Sequence, residues 1–140
     1  MDGLAFIKKL SEGSAPGGAY YLCGEDPYSL NKGVRAAVQL TNPELRDMNA
    51  QTLKNPAPAD VQNAAETLPF FDERRVVVVT EFDADAANAL ESYALNVPES
   101  TVLLFVRQGK PPLTNPLYKT LDKAGRAVVF DAFTPEQAEA

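Results

Sequence analysis

The sequence predicts an α/β domain of three layers, with a mostly parallel sheet of about five strands between helices. Two observations carry this. Residues 19–23 (AYYLC), 76–79 (VVVV), 101–106 (TVLLFV) and 127–130 (AVVF) are continuous apolar runs without polar alternation, the pattern of strands covered on both faces. Between them lie segments with helical spacing and capping signals, and strands alternating with helices of this length imply right-handed crossovers. The length of 140 residues suits one core and one domain.

Leu4, Ile7 and Leu10, widened by Phe6, form the stripe of a first helix over residues 1–10, with Asp2 favouring its N-terminus. Residues 11–18 (SEGSAPGG) are loop by composition and lead into the first strand, ended by Gly24. Asp26 is placed as an N-cap and Pro27 as the first residue of a second helix. Leu30, Val34, Ala37 and Val38 lie on one face of it, and it ends near Leu40. Residues 45–48 are expected to form a short edge strand. Residues 55–60 (NPAPAD) open a short helix running to Thr67. After the valine strand, Ala84 to Leu95 reads as one alanine-rich helix stopped before Pro98. A turn at residues 109–112 (GKPP), a helix over 116–123 ended at Gly125, and the last strand follow. Thr134-Pro135-Glu136 reads as the start of a further helix, so the chain is expected to be one domain of a longer protein.

The stretch joining the fourth helix to the valine strand stands out. Leu68, Phe70 and Phe71 crowd around Pro69, and Asp72, Glu73, Arg74 and Arg75 follow, which marks a short surface connection. Adjacent phenylalanines at a surface are costly unless covered. Either both rings fold back into the core or they await a partner.

Composition excludes several classes of function. Thirteen Lys plus Arg against nineteen Asp plus Glu give a net charge of −6, unsuited to gripping nucleic acid unaided. There is no histidine, hence no imidazole base and no common zinc ligand. The single Cys23 excludes an internal disulfide and suggests a reducing compartment. Asp2, Lys8 and Lys9 break any signal-peptide pattern, and no apolar run reaches membrane-spanning length, so a cytoplasmic protein is expected.

In a parallel sheet the site normally lies at the carboxyl ends of the strands. After the first strand comes Gly24-Glu25-Asp26-Pro27-Tyr28. A phosphate-cradling loop needs free N–H groups, a lysine and a following hydroxyl residue. Here carboxylates and a proline intervene, Lys32 sits inside the helix, and Gly33 follows it. Glu25, Asp26, Glu81 and Asp83 allow an alternative reading, a magnesium-dependent phosphoacceptor site like that of response regulators. That site also wants a lysine after the last strand, where Asp131, Ala132 and Phe133 stand, and helix capping by Asp26 and Asp83 competes with it. No nucleophile elbow or metal-ligand cluster is present; no catalytic residue, cofactor or metal site is expected.

Tyr21-Leu22-Cys23-Gly24-Glu25-Asp26 with Tyr28 and Leu30, then Leu68-Pro69-Phe70-Phe71 with Glu73, Arg74 and Arg75 before the valine strand, resemble the N-terminal domain of the delta subunit of the bacterial DNA polymerase III clamp loader. Leu103 to Val106 and Thr134-Pro135-Glu136 extend the resemblance over essentially the whole chain. It implies an AAA+-like domain with a degenerate phosphate loop, followed in the family by lid and collar domains beyond this chain. It also implies a role in DNA replication. Such subunits insert a hydrophobic plug into the sliding clamp (beta subunit) and open it, while other clamp-loader subunits hydrolyse ATP within a holoenzyme that is a DNA polymerase. Carried over by position, the plug is Phe70 and Phe71, with Leu68 as an accessory contact and Pro69 fixing the turn. Glu66 stands where clamp-binding peptides often carry glutamine. Contact with DNA is expected only through the assembled loader.

Overall fold

A computed structural model describes residues 1–134. In chain order the elements are α1 (Gly3–Ser11), β1 (Gly18–Gly24), α2 (Pro27–Val38), a 3-10 turn (Pro43–Leu45), α3 (Arg46–Asn49), β2 (Ala50–Lys54), α4 (Pro58–Glu66), β3 (Arg75–Thr80), α5 (Ala84–Ala87), two further 3-10 turns (Asn88–Leu90 and Tyr93–Leu95), β4 (Thr101–Gln108), α6 (Pro116–Lys123) and β5 (Ala127–Val129). The five strands form one sheet in the order β2-β3-β4-β1-β5, and every neighbouring pair is parallel. The three-layer α/β architecture expected from the sequence is therefore present.

Alternate strand residues feed two cores. Tyr20, Leu22, Val76, Val78, Leu104 and Val128 pack with Phe6, Leu10, Leu30 and Phe130 under α1 and α2. Tyr21, Cys23, Val77, Val79, Leu103 and Phe105 pack with Val61, Ala65, Leu90, Leu117 and Leu121 on the other face. The caps are those the sequence announces: Asp2 accepts from the Ala5 N–H, and Asp26 from the Ser29 N–H ahead of Pro27.

Two expectations need correction. Residues 45–48 are not a strand: Asn42 accepts from the Glu44 N–H, Pro43 takes the first turn, and the segment coils into the 3-10 turn and α3. The edge strand is β2, five residues later, where Gln51, Thr52 and Lys54 are exposed and Leu53 is half-buried. Nor is 84–95 one helix. α5 is a single turn, after which the Asn88 side chain accepts from the Leu117 N–H and Glu91 from the Thr120 hydroxyl, tying this segment to α6. The expected helix start at Thr134-Pro135-Glu136 extends beyond the described residues.

Gly33 makes a sharp test of the α1–α2 core. Alanine in place of a mid-helix glycine ordinarily stabilises by roughly 0.5–1 kcal/mol. Here a Cβ on Gly33 would lie 2.2 Å from Cζ of the Phe130 ring, and a Cβ on Gly3 would lie 2.2 Å from Cδ2 on the same side of that ring. The ring is 1% exposed and packed edge to face on Phe6, so Gly33→Ala is expected to lower stability by about 1–3 kcal/mol in a denaturant melt, reversing the usual sign.

Cys23 is fully buried, and burial, with Asp122 adding to it, pushes its thiol up to about 11. Burial likewise pushes Tyr21 up to about 12. Both groups favour the fold while protonated. Their contribution is complete below the unfolded values of 9.0 and 10.0 and is lost as pH rises through the folded ones. Thiol reagents at about pH 8 are expected to label Cys23 only after unfolding; rapid native labelling would contradict its placement.

Candidate functional site

The connection from α4 to β3 begins where the helix must stop. Leu68 precedes Pro69 and is biased away from helical backbone. Thr67 is extended, and its hydroxyl donates back to the Asn63 carbonyl. Beyond it the apolar side chains turn outward: Leu68 is 76% exposed, Phe70 42% and Phe71 84%. The two rings meet edge to face at 4.6 Å. The alternative that they fold into the core is thereby answered: they form an apolar tip at the surface.

The backbone beneath this tip is held firmly. Asn49, the last residue of α3, is fully buried. Its Oδ1 accepts from the Phe70 N–H at 2.6 Å and its Nδ2 donates to the Phe70 carbonyl at 2.9 Å. Phe71 then takes a left-handed backbone, φ +49°, which costs a bulky residue about 1–2 kcal/mol. Asp72 closes the far side, accepting from the Asn42 N–H and the Glu73 N–H, each at 2.7 Å.

Of the four charges that follow the tip, three lie on the connection and one does not. Arg75 is the first residue of β3 and is buried, correcting its assignment to a surface loop. Its guanidinium donates to the Ala64 carbonyl at the end of α4, the Met48 carbonyl in α3 and Gln51 Oε1 on β2. Burial lowers its pKa. Arg74 donates to the Glu99 carbonyl, linking the connection to the turn before β4. Glu66 accepts from the Tyr93 hydroxyl at 2.6 Å; burial first, then this carboxylate, raise the Tyr93 pKa.

At the carboxyl end of β1, an open cleft of about 340 Å³ is lined by Gly24, Glu25, Asp26, Lys110, Phe130 and Asp131. Two amides that border the cleft are bonded to the end of β1. The Gly109 N–H donates to the Gly24 carbonyl and the Phe130 N–H to the Cys23 carbonyl. Asp26 places its own carboxylate at the start of α2, accepting from the Ser29 hydroxyl at 2.5 Å and the Ser29 N–H at 3.1 Å, which hold its pKa below the usual range. Asp83 caps α5 through the Asp85 and Ala86 N–H groups and lines a different pocket. Among the described residues no group of three or more carboxylate or thiol side chains is disposed to hold a metal ion.

Leu68, Pro69, Phe70 and Phe71 are thus gathered at one surface point, whereas Asp26 and Asp83 serve separate helices. Sequence reasoning missed Asn49 and the interior role of Arg75. A buried asparagine contacting a backbone 21 residues away leaves no local signature.

The order β2-β3-β4-β1-β5 defines an AAA+-like fold. The family model "DNA polymerase III, delta subunit" matches residues 20–133, and the chain belongs to that family. The Bacillus subtilis DNA clamp loader delta protein (YqeN) superposes with a TM-score of 0.76 at 26% identity, over 93% of this chain and 42% of that one. A DNA polymerase III gamma subunit-related protein from Thermotoga maritima superposes with a TM-score of 0.62 at 16% identity, over 97% of this chain and 47% of that one, a likeness of fold. The chain therefore spans less than half the length of these two proteins. No curated protein sequence matches it. Among the described residues no helix is long and apolar enough to cross a membrane.

Proposed function

We infer that this domain is the clamp-binding part of a clamp loader delta subunit, and that Phe70 and Phe71, assisted by Leu68 and turned outward at Pro69, enter an apolar pocket on the sliding clamp. One observation carries this reading: two large apolar rings stand at the surface on a backbone that is pinned and strained, in a chain of the delta family. Strain of this kind persists where the surrounding structure enforces it, and it concentrates at binding elements. Clamp opening would follow from binding, in the cytoplasm and within a loader whose other subunits hydrolyse ATP. DNA contact would fall to the assembled loader, since this chain carries a net charge of −6.

Calorimetric titration of the cognate sliding clamp with this chain tests the reading. Saturable binding is expected. No heat or complex at about 100 μM, an affinity weaker than roughly −5 to −6 kcal/mol, would overturn it. In the same instrument ATP and ADP are expected to show no saturable binding, because Asp26 occupies the helix start and the neighbouring amides are bonded.

A further inference from the structure

We propose that Asn49 is a positioning residue for clamp binding, setting the direction in which Phe70 and Phe71 point through its two hydrogen bonds to the Phe70 peptide backbone. This rests on the reading that the two rings enter the clamp. The carboxamide uses its oxygen and one of its two Nδ2 hydrogens on the N–H and C=O of a single residue, as a neighbouring strand would. Asn49 is fully buried, so either group left unpaired would bear its full desolvation cost. The two bonds therefore hold Phe70 in one place relative to α3.

The base beneath Asn49 is itself fixed. Arg75 bonds the Met48 carbonyl, adjacent to Asn49, and with its remaining donors reaches the Ala64 carbonyl and Gln51. α3, the end of α4 and the start of β3 are thereby joined under the tip. The Phe71 ring has little besides Phe70 to hold it, being 84% exposed. Direction must come from the backbone, and Asn49 supplies it. Binding by a tip that is already ordered avoids the cost of ordering it on contact. A tip that samples many directions binds with an affinity reduced by the fraction pointing correctly.

The test is a double-mutant cycle on clamp affinity, measured by surface plasmon resonance with Asn49→Ala, Phe71→Ala and the double variant. Phe71→Ala is expected to weaken binding at least thirty-fold and Asn49→Ala about ten-fold. The double variant should lose clearly less than the product of the two single losses, because with Phe71 gone Asn49 has only Phe70 left to position. If the two losses instead multiply, or if Asn49→Ala binds like wild type while Phe71→Ala is weak, the positioning role is wrong and the apolar tip stands. If Phe71→Ala binds like wild type, the tip reading falls and this proposal with it.

Amide hydrogen exchange on the chain alone separates positioning from folding. In Asn49→Ala the Phe70 amide should lose protection while the amides of Val76 to Val79 keep theirs. A Phe70 amide that stays protected in this variant would contradict the proposal. If the β3 amides lose protection too, Asn49→Asp decides, since it retains the acceptor for the Phe70 N–H. An intermediate loss of affinity with β3 protected supports the proposal, and unchanged affinity overturns it.

Discussion

Replacing Phe71 with alanine is expected to weaken clamp binding by about 2–4 kcal/mol, or roughly thirty- to a thousand-fold, and to leave folding stability within about 0.5 kcal/mol of wild type. A ring of this size buries roughly 150–250 Å² in a complex. At about 25 cal/mol per Å² that is a gross gain of roughly 4–6 kcal/mol, of which association consumes a large part. The ring is 84% exposed in the free chain, so truncation opens no cavity. Phe70, 42% exposed and in edge-to-face contact with Phe71, should show a comparable loss of binding and a somewhat larger loss of stability. Phe71→Gly sharpens the contrast. Glycine accepts the left-handed backbone at φ +49° without strain, so this variant should fold at least as stably as Phe71→Ala while binding no better. A site kept at a cost to the fold is expected to behave in this way. Titration of the variants against the clamp, with denaturant melts alongside, checks both halves.

The opposite outcome is expected for Phe130→Ala, which should cost about 3–5 kcal/mol of folding free energy. Phe130 is 1% exposed, meets Phe6 edge to face, and its ring lies against Gly3 and Gly33. It directly follows β5, at the far edge of the sheet from β2 and β3, the strand into which the 67–74 connection leads. Whatever fraction stays folded should therefore bind the clamp with wild-type affinity. Two phenylalanines of one chain would then separate cleanly, one acting on stability and the other on binding, as read by melts and clamp titrations of the same samples.

Much of this architecture is legible in the sequence. Four strands announce themselves because a strand covered on both faces can carry apolar side chains at every position, as Val76 to Val79 and residues 101–106 do. β2 did not, because an edge strand needs only half its residues apolar, and only Leu53 of Ala50–Lys54 packs against the core. Asn42 and Pro43 did spell a cap and a first turn, the signal that α3 rather than a strand follows. The broken segment after Asp83 was illegible for another reason. Its alanines favour helix, but Asn88 and Glu91 are committed to α6, and such tertiary bonds override local preference.

The candidate site divides in the same way. Leu68, Pro69, Phe70 and Phe71 were visible as an apolar cluster interrupted by proline and followed by charge. What holds them was not, since Asn49, Asp72 and Arg75 act through bonds to distant backbone groups. Four charges in a row also disguised Arg75, whose three acceptors are two carbonyls and an amide rather than a carboxylate.

The most direct test of the central claim is site-specific photo-crosslinking with p-benzoylphenylalanine placed at position 71 and, as a control, at Leu113, which is 68% exposed on the connection from β4 to α6. With the cognate sliding clamp present, crosslinking to the clamp is predicted at position 71 and not at position 113. Efficient crosslinking at 113 with none at 71 would contradict the account.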